Sequence, residues 1–350
     1  MMHLRTRLVL LGASSFAAVL ACARATAPLP PAEEVVLVIN RDDPSLMVIP
    51  VDAPASSTTI PLGSSAHPTG VAARNGVALV PLGDADSVLI VDLHGGSVTG
   101  RIALPVNSGA MGAAVVDDSI GYVANPKLNS VTRVNYLSGD TASLAVGVFP
   151  QAMVSTRGKL FVLNGNLVGG TPAGASWVSV VDPETNRLAT GVDSILMPGP
   201  GNASSGDVAQ DGVLYVMNSG PLDSITAGRL TLVDPVDRSE LGNFGGFGNA
   251  PGAIATNGVD RLFVSSRSEG LMVFDLLKQR VLLGAGNGVN IPTNAGVAVD
   301  SHGRIYALEA GDCAGGTGKV HILRTDLSEI RALNAGKCPV AAIASEIPPR

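Results

Sequence analysis

From Glu34 onward the chain is written in short apolar runs of Val, Ile, Leu, Phe and Tyr, each bounded by Gly, Asn, Asp or Pro, and no stretch keeps a 3.6-residue period over three turns. Such runs predict strands and an all-β fold. Laid over itself, the sequence repeats one phrase: small apolar residues, a Gly or Asn turn, an apolar run ending in Asn or Ser, a loop, and a Val-rich run ending in an acid. Gly206-Asp207-Val208-Ala209, Leu214-Tyr215-Val216-Met217-Asn218 and Leu230-Thr231-Leu232-Val233-Asp234 make up one such unit. The closing acid or amide recurs at Asp52, Asp92, Asn135, Asp182, Asp234, Asp275 and Asp326, about 46 residues apart on average. Seven units of three or four short strands at that period predict a seven-bladed β-propeller over residues 34–350.

The two ends of this region predict how the ring closes. The first unit opens directly on its second strand, Val35 to Ile39, while Val340-Ala341-Ala342-Ile343-Ala344 reads as an opening strand with no unit of its own. Pairing the tail with the first blade would leave no free sheet edge at the seam. The opening strands Val71-Ala72-Ala73, Ala113-Ala114-Val115, Ala253-Ile254-Ala255 and Val297-Ala298-Val299 are built of small residues, as strands crowded around an axis require.

Tyr122-Val123-Ala124-Asn125, Phe161-Val162-Leu163-Asn164 and Tyr215-Val216-Met217-Asn218 resemble the YVTN-type repeat of seven-bladed β-propellers in prokaryotic surface and periplasmic proteins. His67-Pro68-Thr69-Gly70-Val71-Ala72 is similar to the phrase that opens such blades. The resemblance covers the whole mature chain and implies the fold. It implies no single activity, because this fold hosts binders, lyases, lactonases and scaffolds.

The first residues carry an address. A basic start with His3, Arg5 and Arg7 precedes an apolar run from Leu8 to Leu20, the pattern of a secretory leader over residues 1–21. That run would reach only about 20 Å as a helix, short of a bilayer core. Val19-Leu20-Ala21-Cys22 resembles a bacterial lipobox, which implies acylation of Cys22 and a membrane held as partner through lipid; ordinary cleavage after Ala23 or Ala25 is the alternative. Residues 22–33, with Pro28, Pro30 and Pro31, then read as a stiff tether. The expected location is the cell envelope, periplasmic or at the outer membrane. The formal charge is −6, and −8 once Arg5 and Arg7 leave with the leader, which disfavours nucleic acid as a partner.

Beyond Cys22 there are two cysteines, Cys313 and Cys338, both in the seventh unit. In an exported chain such a pair reads as a disulfide, and the competing thiolate metal site lacks C-x-x-C spacing and a nearby histidine.

Loop lengths predict where a site would lie. Turns on one face are minimal, as at Arg74-Asn75-Gly76 and Asp117-Asp118-Ser119, whereas loops on the other are long: residues 165–176, 198–205, 219–228, 242–250, 284–294 and 311–318. Long insertions gathered on one rim mark the expected functional face. Its candidate binding residues are His67, Asp42, Asp43, Asp84, Asp86, Arg267, Glu269 and Glu309. Asp42, Asp43, Asp84 and Asp86 occupy corresponding loops of adjacent units, and four converging carboxylates would suit Ca²⁺; the bland reading is that they solvate turns. No cofactor is identified otherwise. Gly315-Gly316-Thr317-Gly318-Lys319 superficially resembles a phosphate loop, but Cys313 stands where its first glycine belongs and Val320 where Ser or Thr belongs. Neither H-E-x-x-H nor G-x-S-x-G occurs. The expectation is a membrane-tethered binding module for a protein, glycan or small molecule, with a lactonase-like or other metal-dependent hydrolase of the axial pocket as the alternative.

Overall fold

In the second strand of blade one, Glu33–Asn40, alternate residues go to opposite neighbours: Val35, Leu37 and Ile39 pack into a cluster shared with blade two, Val36 and Val38 into one shared with blade seven. Period-two side chains on a pleated strand produce this division directly. The computed structural model describes residues 31–224 and 227–349, and within them the same division recurs at every blade, giving seven apolar clusters, one per interface. The leader, Cys22 and most of the tether fall outside the described residues.

The chain is a seven-bladed β-propeller. Five blades are four-stranded antiparallel sheets in which strands follow sequence order from axis to edge; blade four has a fifth strand, and in blade one, also four-stranded, the inner place is taken by Pro339–Ile347. That strand pairs Glu33–Asn40 from Glu33↔Ile347 to Asn40↔Pro339, so the tail closes the ring as the sequence implied, with a strand longer than the five residues expected. Tyr122, Tyr215, Tyr306, Phe161 and Phe263, all on second strands, are among the largest fully buried side chains. Each buried ring of this size contributes on the order of 2–3 kcal/mol.

The repeated acids have a structural role. Asp182 Oδ1 accepts the Glu184 and Thr185 amides, Asp234 Oδ1 those of Val236 and Asp237, and Asp275 Oδ1 those of Leu277 and Lys278. Asn135 and Asp326 close their turns in the same way. These side chains satisfy amides that no strand reaches, which allows turns of minimal length.

Blade four departs from the repeat. Its third strand, Ser176–Asp182, pairs outward with two pieces, Arg187–Leu188 and Ser194–Met197, with residues 189–193 bulging between them. The long loop before it carries a two-stranded hairpin, Leu167–Val168 with Thr171–Pro172. The inner strand of blade five begins at Ala203, so the long loop expected to end at residue 205 is shorter by three residues.

Candidate binding rim and axial channel

The asparagines that close the YVTN-like phrases sit at the rim end of the second strands and fasten it. Asn164 Nδ2 donates to Val162 and Trp177 carbonyls and to Ser179 Oγ, while its Oδ1 accepts the Gly147 amide from the loop that enters the blade. Asn40 repeats the arrangement, donating to Ser45 Oγ and accepting the Gly336 amide. Asn125 and Asn218 donate to hydroxyls of Thr132 and Thr231, but the Oδ1 of each is buried without a partner.

Upon this frame the predicted rim residues separate into engaged and free groups. Asp86 is engaged: burial raises its carboxyl, but donation from Ser108 Oγ and the Asn107 and Gly109 amides holds it below the ordinary aspartate value. Asp84 pairs with Lys127 at 2.6 Å. The Arg41 guanidinium binds Asp42 at 2.8 Å and, with a smaller contribution from His67, lowers its carboxyl. Asp43 is exposed and has no partner among the described residues. No three of these four aspartates bring ligand atoms within 4.8 Å of one another, so the structure does not assemble the carboxylate cluster that Ca²⁺ would need.

A different grouping forms at the seam. Cys313 and Cys338 are joined as a disulfide, tying the rim loop of blade seven to the segment that leads into the closing strand. The Arg41 amide donates to the Cys338 carbonyl and the Asp42 amide to that of Lys337, so blade one's rim loop lies along this bridge. Asp42 and the two sulfurs come within 4.8 Å, yet both sulfurs are bonded to each other and do not act as thiolates.

Glu309 meets a histidine of the neighbouring strand, Lys319–Leu323. Antiparallel register places His321 opposite Ala307, and from there its Nε2 lies 2.8 Å from Glu309 Oε2 and its Nδ1 2.9 Å from Glu329 Oε2. Lys319 adds a contact to Glu309 at 3.8 Å. Alternate residues of adjacent strands share a face, which was the only sequence signal for this group.

Arg267 and Glu269 converge on a rim cleft of about 250 Å³ in blade six, walled by Gly270, Gly286, Gly288, Asn290, Ile291 and Pro292. Glu269 Oε2 accepts the Gly286 amide at 2.8 Å. Leu271 and Val289 exchange two main-chain hydrogen bonds that clamp the interblade loop onto the strand turn. A Cβ on Gly270 would lie 2.1 Å from the Val289 carbonyl oxygen, and one on Gly288 2.2 Å from that of Glu269, so both glycines are required for the approach.

The axis of the ring holds a second space, about 980 Å³, lined by the inner strands of all seven blades. Its walls are mainly Ala, Val, Gly and Ser, as predicted for crowded inner strands. Three carboxylates line it. Asp300 is held by Arg304 at 2.6 Å and by the Tyr306 hydroxyl, and Glu34 accepts from the amide and hydroxyl of Ser301 across the seam. Asp207 has no cation; its oxygens accept the Val208 and Thr256 amides at 2.8 Å, and burial pushes its carboxyl up to about 6. His67 is not among the lining residues and stands exposed on the rim.

No protein-family model matches the chain, and no curated protein matches it. Among solved structures, hydrazine synthase of Kuenenia stuttgartiensis is similar at 16% identity and a TM-score of 0.61, over 78% of this chain and 88% of that one. A chain of a nidogen/laminin complex is similar at 13% identity and a TM-score of 0.54, over 71% and 92% respectively. At these identities the likeness is one of fold.

Proposed function

We propose that the chain is an exported, lipid-anchored propeller of YVTN-type repeats that works as a non-catalytic binding module through its long-loop rim. The observation that carries this reading is the inequality of the two faces. One is closed by short turns capped with their own Asp and Asn side chains, whereas the other bears the extra hairpin of blade four and the preformed cleft of blade six. Insertions beyond what folding requires, collected on one side of a rigid ring, are where a scaffold places recognition. The lipobox-like Val19-Leu20-Ala21-Cys22 supports the anchor and the envelope location.

The test has two parts. Metabolic labelling with an alkyne fatty acid should tag the full chain and fail on Cys22→Ala; equal labelling of both would remove the anchor. For the rim, a thermal-shift screen of metals, glycans and metabolites on the full chain in detergent should yield a ligand whose effect is lost when residues 168–171 or 286–290 are shortened. A ligand lost instead on Ser155→Leu, an exposed position lining the axial channel, would overturn the rim reading. Turnover of a lactone that depends on a bound divalent ion would do so in favour of the hydrolase, for which Asp207 is the available channel carboxyl.

A further inference from the structure

The blade-six cleft contains an unused recognition set. Arg267 is exposed, lines the cleft and has no hydrogen bond or ion pair among the described residues. The main-chain N–H groups of Gly288 and Asn290, and the Asn290 amide, are likewise without partners there. Opposite charge is present but only half engaged: Glu269 gives one oxygen to the Gly286 amide and keeps the other. The walls do not need to be ordered by a ligand, because the Leu271–Val289 clamp and the two glycine contacts already fix them.

We infer that this cleft binds a small α-amino or α-hydroxy carboxylate. A planar guanidinium with neighbouring N–H donors is matched to a carboxylate, which it can grip through two parallel hydrogen bonds. The free oxygen of Glu269 has the opposite demand: it repels a bare anion and accepts from an N–H or O–H carried beside the carboxylate. A ligand with both groups on adjacent atoms satisfies Arg267 and Glu269 together, whereas acetate satisfies only one and inorganic phosphate places excess negative charge against Glu269. The volume agrees, since 250 Å³ gives room for a compact acid of this kind. Exposure of Arg267 sets affinity on the order of 1 mM rather than tighter. The inference rests on the rim reading and names the chemistry of one part of it.

Isothermal titration of the full chain in detergent with L-alanine, L-lactate, acetate and inorganic phosphate tests it, the first two separating amino from hydroxy acids. At least one of alanine and lactate should bind tenfold or more tightly than acetate and phosphate. Arg267→Gln should weaken that binding at least tenfold, Arg267→Lys less, and Glu269→Gln, which keeps an acceptor for Gly286, should erase the margin over acetate. Unchanged unfolding midpoints would show that the variants are folded. The inference fails if neither acid binds, if phosphate binds as tightly, or if Arg267→Gln binds like the parent chain. Another rim ligand that tolerates Arg267→Gln would leave the rim reading standing while this assignment falls; binding confined to the axial channel would end both.

Discussion

The Asp207 carboxylate leaves the inner strand of blade five and accepts, through Oδ2, the main-chain N–H of Thr256 on blade six at 2.8 Å. One blade thereby caps an edge amide of the next. Ser205 does the same two residues earlier, its Oγ accepting the Ile254 amide at 3.1 Å.

Asp207 should give the fold a distinctive pH response. Burial raises its carboxyl from 3.8 to about 6, so between those values the folded chain holds a proton that the unfolded chain has released. Stability contributed by the neutral acid is complete below about pH 4 and is lost as pH rises through 6, by up to about 3 kcal/mol. Asp42, Asp86 and Asp182, all lowered, act in the reverse sense at lower pH. The informative quantity is therefore the difference between parent and Asp207→Asn in urea unfolding from pH 4 to 7. It should shift steadily in the variant's favour with rising pH; a difference independent of pH would refute the assignment.

Removing residues 338–350 takes away the inner strand of blade one and half of the disulfide. The remaining chain would expose the whole edge of Glu33–Asn40 and uncover the Ala342 contact in the blade seven–one cluster. Circular dichroism on heating should show loss of the cooperative transition. A truncated chain that melts as sharply as the parent would mean that the seam does not hold the ring.

The Cys313–Cys338 bridge closes a loop with a separation of 25 residues. On the chain-entropy account it stabilises the fold by about 3 kcal/mol. The double variant Cys313→Ser/Cys338→Ser should fold, lose about that much in denaturant titration, and no longer respond to reductant, whereas the parent should lose a similar amount when reduced.

Asn164 and Asn125 occupy the same place in adjacent blades, but only Asn164 has a partner for its Oδ1. Truncating Asn164 to Ala orphans the Gly147 amide and releases three acceptors, for a loss of about 2–4 kcal/mol. Asn125→Ala removes an Oδ1 that already lacks a partner and should cost about 1–2 kcal/mol. Equal losses by urea unfolding would show that the Gly147 contact and the extra Nδ2 bond of Asn164 together contribute nothing.

The ring could be read from sequence because its determinants are local and repeated. Each second strand alternates between two neighbours, and six of the seven closing residues, all but Asp52, cap the turn that follows within three residues. The irregular parts depend on distant partners. Asp84 meets Lys127 forty-three positions away, and Asp86 caps a loop twenty-one to twenty-three residues on, so a local reading shows four acids in two loops but not that most are engaged. Blade four's divided edge leaves no period to detect. Phe149, Ala250 and Cys338, each just before a proline that starts or precedes an inner strand, adopt positive φ of 55°, 43° and 54°, a rim kink that none of these side chains advertises. Arg267 and Glu269 were visible as residues; the cleft was not, because its far wall comes from the next interblade loop.

Glu33 and Ile347 pair at the capped-turn end of blade one, and beyond them the Pro348 carbonyl accepts from His94 Nε2 in a turn on that same side. Entry and exit are thus on the underside of the ring. The blade-six cleft opens on the opposite rim, so a ligand can reach it without passing either end of the propeller chain.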